Sequence, residues 1–187
     1  MTYASSDWIA WLAGLIDGEG TVSITRSNAN RYQHPYLRPL LHIANTDLRL
    51  LHKAAAIIEP ITGKAPRLRR TTNEKHEATG WKRGYRLVVD TQWELLLLLP
   101  HLRPFLVGKQ EQADIIIEFS RRRHGRDSKK WREFAVEDHA LYLRSLALNR
   151  RGRCGPRSPV PTIEDLERML LQAPSEGNAK GGGYGFS

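Results

Sequence analysis

Residues 11–24, WLAGLIDGEGTVSI, restrict the possible folds more than any other stretch of this chain. Its first half belongs to a helix: Ile9, Leu12, Ala13 and Ile16 recur at helical spacing behind Ser5 or Ser6 as a cap. Gly18 and Gly20 end that run. From Thr21 to Ser27 the pattern becomes a strict alternation, with Val22 and Ile24 on one side and Thr21, Ser23, Thr25 and Ser27 on the other. A helix therefore passes straight into a strand, and two carboxylates, Asp17 and Glu19, stand at the seam. The helix macrodipole disfavours an acid at a C-terminus by about 0.3–1 kcal/mol. Something must offset that cost, and a divalent cation held by oxygen ligands is a fitting counter-charge. The helix has a second peculiarity. Ala10, Gly14 and Gly18 repeat every four residues and leave a strip nearly without side chains, which suits either tight packing on a sheet or close approach by a partner backbone.

The same order of elements then recurs. A second alternating run places Leu37, Leu41 and Ile43 on one face and Arg38, Leu40 and His42 on the other, so a hairpin with a long connection is expected. Asn45 or Thr46 can cap a helix to about Glu59, its stripe formed by Leu48, Leu51, Ala55 and Ile58, with Pro60 and Gly63 as stops. Two more strands are expected over residues 66–72 and 83–90. Thr91 to Glu94 reads as a capping box for a Leu-rich helix that should break at Pro100. Helices over 109–123 and 137–149 follow, with another over 164–171 behind Thr162. Trp8, Trp11 and Trp93 sit at helical spacing and are expected in the core, as is Tyr85, which shares parity with Leu87 and Val89. The expected class is α+β: an αββαββα arrangement with an antiparallel sheet and additional C-terminal helices. Residues 1–172 should form a single domain and 173–187 a flexible Gly-rich tail.

Charge narrows the partner. The 29 Lys and Arg residues exceed the acids by nine, most of them are Arg, and the balance favours a polyanion such as nucleic acid. A single cysteine, Cys154, excludes an internal disulfide and a cysteine-only zinc site. No apolar run approaches the roughly 20 residues that span a bilayer, and the N-terminus has no signal-peptide pattern. The expectation is a soluble intracellular chain that engages neither a membrane nor a small-molecule substrate. The preference for Arg over Lys points to a GC-rich genome, hence a bacterial or phage-host cytoplasm, with a chloroplast or mitochondrion as the alternative.

The nine residues LAGLIDGEG, Leu12 to Gly20, resemble the signature of the LAGLIDADG homing endonucleases, agreeing at seven of nine positions. Gly18 and Glu19 are the departures. The αββαββα order is that family's fold, so the likeness covers roughly Ser6 to Asn149, and the single motif is similar to the homodimeric, group I intron-encoded members. The resemblance implies a site-specific DNA endonuclease that cuts both strands of a long pseudo-palindromic duplex across the minor groove, leaves short 3′ overhangs and promotes intron mobility. It also implies a dimer interface through the motif helix at Ala10, Ala13, Gly14 and Asp17, with Asp17 also holding the helix end. Glu19, helped by the carbonyl of Gly18, would bind Mg2+, and each subunit would contribute one such acid to phosphodiester hydrolysis. Asn45 stands where the family usually has a water-positioning Gln. Arg49 and Lys109 align with its charge-stabilising positions. An RNA-binding intron maturase, or a DNA-binding regulator without cleavage, could use the same scaffold. Glu19, which cleavage needs and RNA binding does not, favours the nuclease.

With one sheet face covering the helices, the other parity should meet double-stranded DNA. That set is Ser23, Thr25, Ser27, Arg38, Leu40 and His42 in the first strand pair, then Arg67, Arg69, Thr71 and Arg86 in the second, with Val88 at the margin. No acid occurs among these positions, whereas a merely solvated face would mix signs. The basic loop at Arg150, Arg151, Arg153 and Arg157 could clamp phosphates outside the reading surface.

Overall fold

Amphipathic helix and alternating strand follow one another twice. In the computed structural model, which describes residues 5–26, 36–71, 78–80, 82–124 and 134–150 with Thr162, Glu164 and Arg168, α1 (Ser6–Glu19) runs without a loop into β1 (Gly20–Arg26). After β2 (Leu37–Asn45), α2 (Leu48–Thr62) leads to β3 (Arg67–Arg70) and β4 (Tyr85–Val89). Then come α3 (Gln92–Leu102), a 3-10 turn over Arg103–Phe105, α4 (Gln110–Arg123) and α5 (Val136–Arg150). This is the expected α+β order, αββαββα with further C-terminal helices. The four strands form one antiparallel sheet in the order β1-β2-β4-β3, so the two αββ units meet where β2 pairs with β4.

The registers run from Gly20↔Ile43 to Arg26↔Leu37, from Leu41↔Val89 to Asn45↔Tyr85, and from Arg67↔Val88 to Arg70↔Tyr85. A two-residue side-chain period then puts Val22, Ile24, Leu41, Ile43, Leu87 and Val89 on one face, and all six are buried. Helices cover that face. Ile9, Leu12, Ala13 and Ile16 of α1 are buried against it, as are Leu51, Ala54 and Ile58 of α2 and the Leu95, Leu98, Leu99 and Leu102 stripe of α3. Each fully buried Leu or Ile contributes about 1.5–3 kcal/mol, so the uncovered face is not what holds the sheet together.

Helix α5 closes one sheet edge. β1 is an edge strand, and Ser145 accepts a 2.9 Å hydrogen bond from the Ile24 N–H while the Asn149 amide donates to the Val22 carbonyl at 3.0 Å. Side chains one helical turn apart thereby satisfy the strand's outward backbone groups and block edge-to-edge pairing. α5 is itself fixed to α4 by Asp138, which is fully buried and accepts from Arg122, Arg123 and the Ala135 N–H at 3.1–3.2 Å.

Several local expectations change. The α2 cap is Asp47 rather than Asn45 or Thr46: its carboxylate accepts from the Arg49 N–H at 2.9 Å, while Asn45 Oδ1 accepts the Asp47 N–H at 2.8 Å. Helices α2 and α3 run through Pro60 and Pro100. Near a C-terminus a proline forfeits the one bond its own N–H would make, and buried Thr62 and Leu102 hold the remaining turn in place. Gly63 ends α2 in the left-handed region at φ 69°, its N–H bonded to the Glu59 carbonyl. Thr91 does cap α3, but its hydroxyl bonds the Glu94 carboxylate instead of the backbone, and Glu94 pairs with Lys64 at 3.1 Å. Trp8 and Trp93 are exposed, not core, because each sits beside its helix's buried stripe rather than on it. Trp11 and Tyr85 do pack partly against the core. The helix expected over 164–171 and the Gly-rich tail lie outside the described residues, apart from Glu164 and Arg168.

Candidate nucleic-acid interface and acidic helix tip

The seam between α1 and β1 is tight. A Cβ on Gly20 would stand 2.6 Å from the Ile16 carbonyl oxygen, so only glycine lets the chain leave the helix and enter the sheet in one step. That step projects Asp17 and Glu19 to the same end of the molecule, where their fates differ. Asp17 is answered within the chain: its carboxylate accepts the Val107 N–H at 2.7 Å, and its backbone carbonyl accepts from the Lys109 ammonium. Its second oxygen, Oδ1, is buried without a partner and faces Gly108. Asp17 therefore fastens the end of α1 to the start of α4, the structural half of its expected role. Glu19 is exposed and accepts no hydrogen bond among the described residues. Lys109 feels both acids. Burial lowers its pKa, and the charges of Asp17 and Glu19 oppose that shift.

The outward strip of α1 is open. Gly14 and Gly18 are exposed, and a Cβ on either would meet nothing within 4 Å, so nothing among the described residues requires glycine there. Ala10 and Asp17 are half-buried beside them. Ala13 is a correction: it is fully buried in the chain's own core and does not belong to the strip, because it lies on the Ile9–Ile16 side of the helix. Beside the strip, the Lys53 ammonium of α2 stands 4.1 Å from the Trp8 ring and 4.6 Å from that of Trp11.

Asn45 and Arg49 reach the same end of the sheet. β1 starts at Gly20 opposite Ile43, so the last residues of β2 run alongside the α1 tip, and α2 begins immediately beyond. Asn45 is half-buried and spends Oδ1 on the Asp47 N–H, which leaves its amide N–H groups as donors. Arg49 is almost wholly exposed but clasped by Asp47, with contacts of 2.7–3.2 Å. That clasp holds the Asp47 carboxyl below the usual carboxylate range and raises the guanidinium. The fold thus gathers Glu19, Asn45, Arg49 and Lys109 at one end, the last two already engaged with oxygens of the chain.

Away from the helices, no element among the described residues covers the second face of the sheet. Register stacks Thr21, His42, Val88 and Arg67 in one row across all four strands, with Ala44, Arg86 and Arg69 in the next. Ser23 pairs with Leu40 and Thr25 with Arg38. Thr71 continues the β3 side, its N–H bonded to the Gly84 carbonyl at 2.9 Å. Every described residue of the expected reading set therefore lies on one surface. Ser27, with Arg151, Arg153 and Arg157 and the side chain of Arg150, lies outside the described residues. His42 sits near the centre, its Nδ1 buried without a partner, and its pKa falls to about 4 through burial and then the neighbouring Arg86. A cleft of about 1320 Å3 connects this face at Ser23 and Thr25 to Lys109.

One acid breaks the expected all-basic pattern. Asp90 follows Arg86 and Val88 at two-residue spacing and pairs with both Arg38 and Arg67. Extending the β4 alternation by one step would have found it; the expected set stopped at Val88.

No protein-family profile matches the sequence, and no curated protein matches it. Solved structures do. The homing endonuclease I-CvuI, in complex with its target in the presence of calcium, superposes with a TM-score of 0.63 at 18% identity, covering 90% of this chain and 95% of that one. The archaeal intron-encoded homing endonuclease I-Vdi141I, complexed with DNA, gives 0.61 at 16% identity over 90% and 98%. The homing endonuclease I-TnaI gives 0.53 at 15% identity over 91% and 99%. The chain thus has the fold of the single-motif LAGLIDADG homing endonucleases, with the variant signature LAGLIDGEG at its α1–β1 seam.

Proposed function

We propose that this protein is a sequence-specific double-strand DNA endonuclease, dependent on Mg2+ and active as a homodimer on a long pseudo-palindromic site, and that its cutting promotes intron mobility. One observation carries the reading. The free carboxylate of Glu19 sits at the tip of a helix whose outer strip is open, at the end of an uncovered sheet face carrying arginines from three strands. Shared fold with proteins described as homing endonucleases supports it, as does the calcium present with one of them.

The donor set fits a divalent ion by halves. Among the described residues no three His, Cys, Asp or Glu side chains converge, and Asp17 is engaged by Val107. One chain offers the Glu19 carboxylate and the Gly18 carbonyl; a second copy, packed strip to strip, would bring the matching pair. When bound, Mg2+ supplies Lewis-acid charge at the scissile phosphate. The chain's own groups do the rest. Lys109, fixed by the Asp17 carbonyl, presents an ammonium beside the forming negative charge. Arg49 can add a second cation while Asp47 keeps it in place. The Asn45 amide can orient an attacking water, whose oxygen bonds to phosphorus as the bond to the 3′ oxygen breaks; the water gives up one proton to bulk solvent, and the 3′ oxygen takes one up from it.

The test is to expose a randomised or intron-flanking duplex library to the protein in Mg2+. Wild type should cut a defined subset with 3′ overhangs, and Glu19→Gln should bind that subset without cutting. If wild type binds selectively but never cuts, the endonuclease reading falls and the regulator reading replaces it. Preferential binding of folded intron RNA over duplex would favour the maturase.

A further inference from the structure

Asp90 is an acid in a surface otherwise suited to phosphates and base edges. It continues the open-face parity of β4, and β4 lies between β2 and β3, so its side chain stands between strands roughly 9–10 Å apart. Both flanking strands send an arginine to it. Arg38 of β2 places a guanidinium nitrogen 2.9 Å from Asp90 Oδ2, and Arg67 of β3 donates to that same oxygen. The carboxylate is sunken, at 7% exposure, whereas the two arginine side chains remain 42% and 46% exposed.

Two guanidiniums converging on one oxygen repel each other, and the shared carboxylate is what offsets that repulsion. Burying the carboxylate costs free energy that a paired guanidinium must offset, but one arginine would suffice, so folding alone does not explain the second. Orientation does. A guanidinium is a rigid fork; once one nitrogen is anchored, its remaining N–H groups have defined directions. Here both arginine side chains keep more than two-fifths of their surface exposed, while the acid they share is buried between them.

We propose that Asp90 is a specificity-determining positioning residue that locks Arg38 and Arg67 into a single pre-oriented reading unit for adjacent base edges in the major groove. The proposal rests on the DNA-reading function above. It also gives the surface one net positive charge at this point instead of two, which limits sequence-independent phosphate binding and leaves discrimination to hydrogen-bond geometry.

Selection from a randomised duplex library with wild type, Asp90→Asn and Asp90→Glu, alongside thermal unfolding and salt titrations, tests it. Asp90→Asn should lose about tenfold in discrimination at the base pairs read by the two arginines. It should also gain affinity for unrelated DNA and steepen the log K against log salt slope by about one per half-site. Asp90→Glu should recover part of the discrimination. A merely structural role would instead weaken binding to every sequence alike. Unchanged preference and slope in a folded Asp90→Asn protein would overturn the proposal. If that variant does not fold, Arg38→Ala and Arg67→Ala take its place: as one unit, each should relax discrimination at the position the other reads, and independent effects would overturn it. A wild type that selects no sequence removes the DNA-reading premise and this proposal with it.

Discussion

The two αββ units share an order and a sheet but not a purpose. In the first, α1 ends on Glu19, and a Cβ on Gly14 or Gly18 of its outward strip would meet nothing within 4 Å among the described residues. In the second, α2 ends on buried Thr62 and left-handed Gly63, with Lys64 next; its nearest acid, exposed Glu59, lies three residues before the helix end, and His52 and Lys53 share the outer face. The strands differ too. β1 and β2 have seven and nine residues, with α5 sealing the outer edge. β3 has four residues, all exposed and three of them arginine, so charge protects that edge instead. Duplicated topology therefore yields one acidic tip and one basic flank. Under the proposed function, a chain with a single acidic tip would supply half of a two-strand cutting site, and the bare strip beside the tip is where the other half would join.

The largest effect that would break this asymmetry is loss of Glu19. Glu19→Gln should reduce cleavage below about one-hundredth of wild type while leaving duplex affinity within about twofold, read by nicking and gel-shift assays. Next is the strip. Gly14→Leu adds a side chain where the isolated chain has open space, so the unfolding temperature should hold or rise slightly. Sedimentation should nevertheless show dimerisation weakened by at least about tenfold, and an unaffected dimer would place the interface elsewhere. Gly20→Ala tests the seam and not the partner. The added Cβ collides with Ile16 backbone, so stability should fall by about 1–3 kcal/mol in denaturant titrations whatever the oligomeric state.

The smallest effect links the two units across the β2–β4 seam. His42, on β2, has its pKa pressed down to about 4 by burial and by Arg86 on β4. Below the unfolded value near 6.5 the unfolded chain takes up a proton that the folded chain refuses, so stability falls as pH drops from 6.5 towards 4. His42→Gln should flatten that part of the profile, and a slope unchanged by the substitution would show that other groups cause it.

Much of this was legible in order and period. Alternation at residues 21–26 and 37–43 assigned Thr21, Ser23, Thr25, Arg38, Leu40 and His42 to one face, and the register agrees, because a two-residue period leaves each side chain only two directions. The seam was legible because Gly20 separates two incompatible periods. Helical spacing grouped Ala13 with Ile9, Leu12 and Ile16, where it is buried; the resemblance had also assigned it to the dimer interface, but spacing cannot say how far round a helix the core extends. Trp8 and Trp93 were misplaced for the same reason. Asp47 was overlooked as the α2 cap because Asn45, Thr46 and Asp47 all suit that role, and only backbone direction selects among them.

The sequence by itself determined the element order, the parity of the strands and the acid at the helix-to-strand junction, all consequences of local periodicity and local stereochemistry. Tertiary structure alone decided which acid stays free of a hydrogen-bond partner among the described residues and which arginines share one carboxylate. Val107 reaches Asp17 across 90 residues, and Asp90 gathers Arg38 and Arg67 from separate strands. Ion pairs and hydrogen bonds depend on distances of a few ångströms between side chains far apart in sequence, and no pattern along the chain encodes such a distance until the sheet has closed.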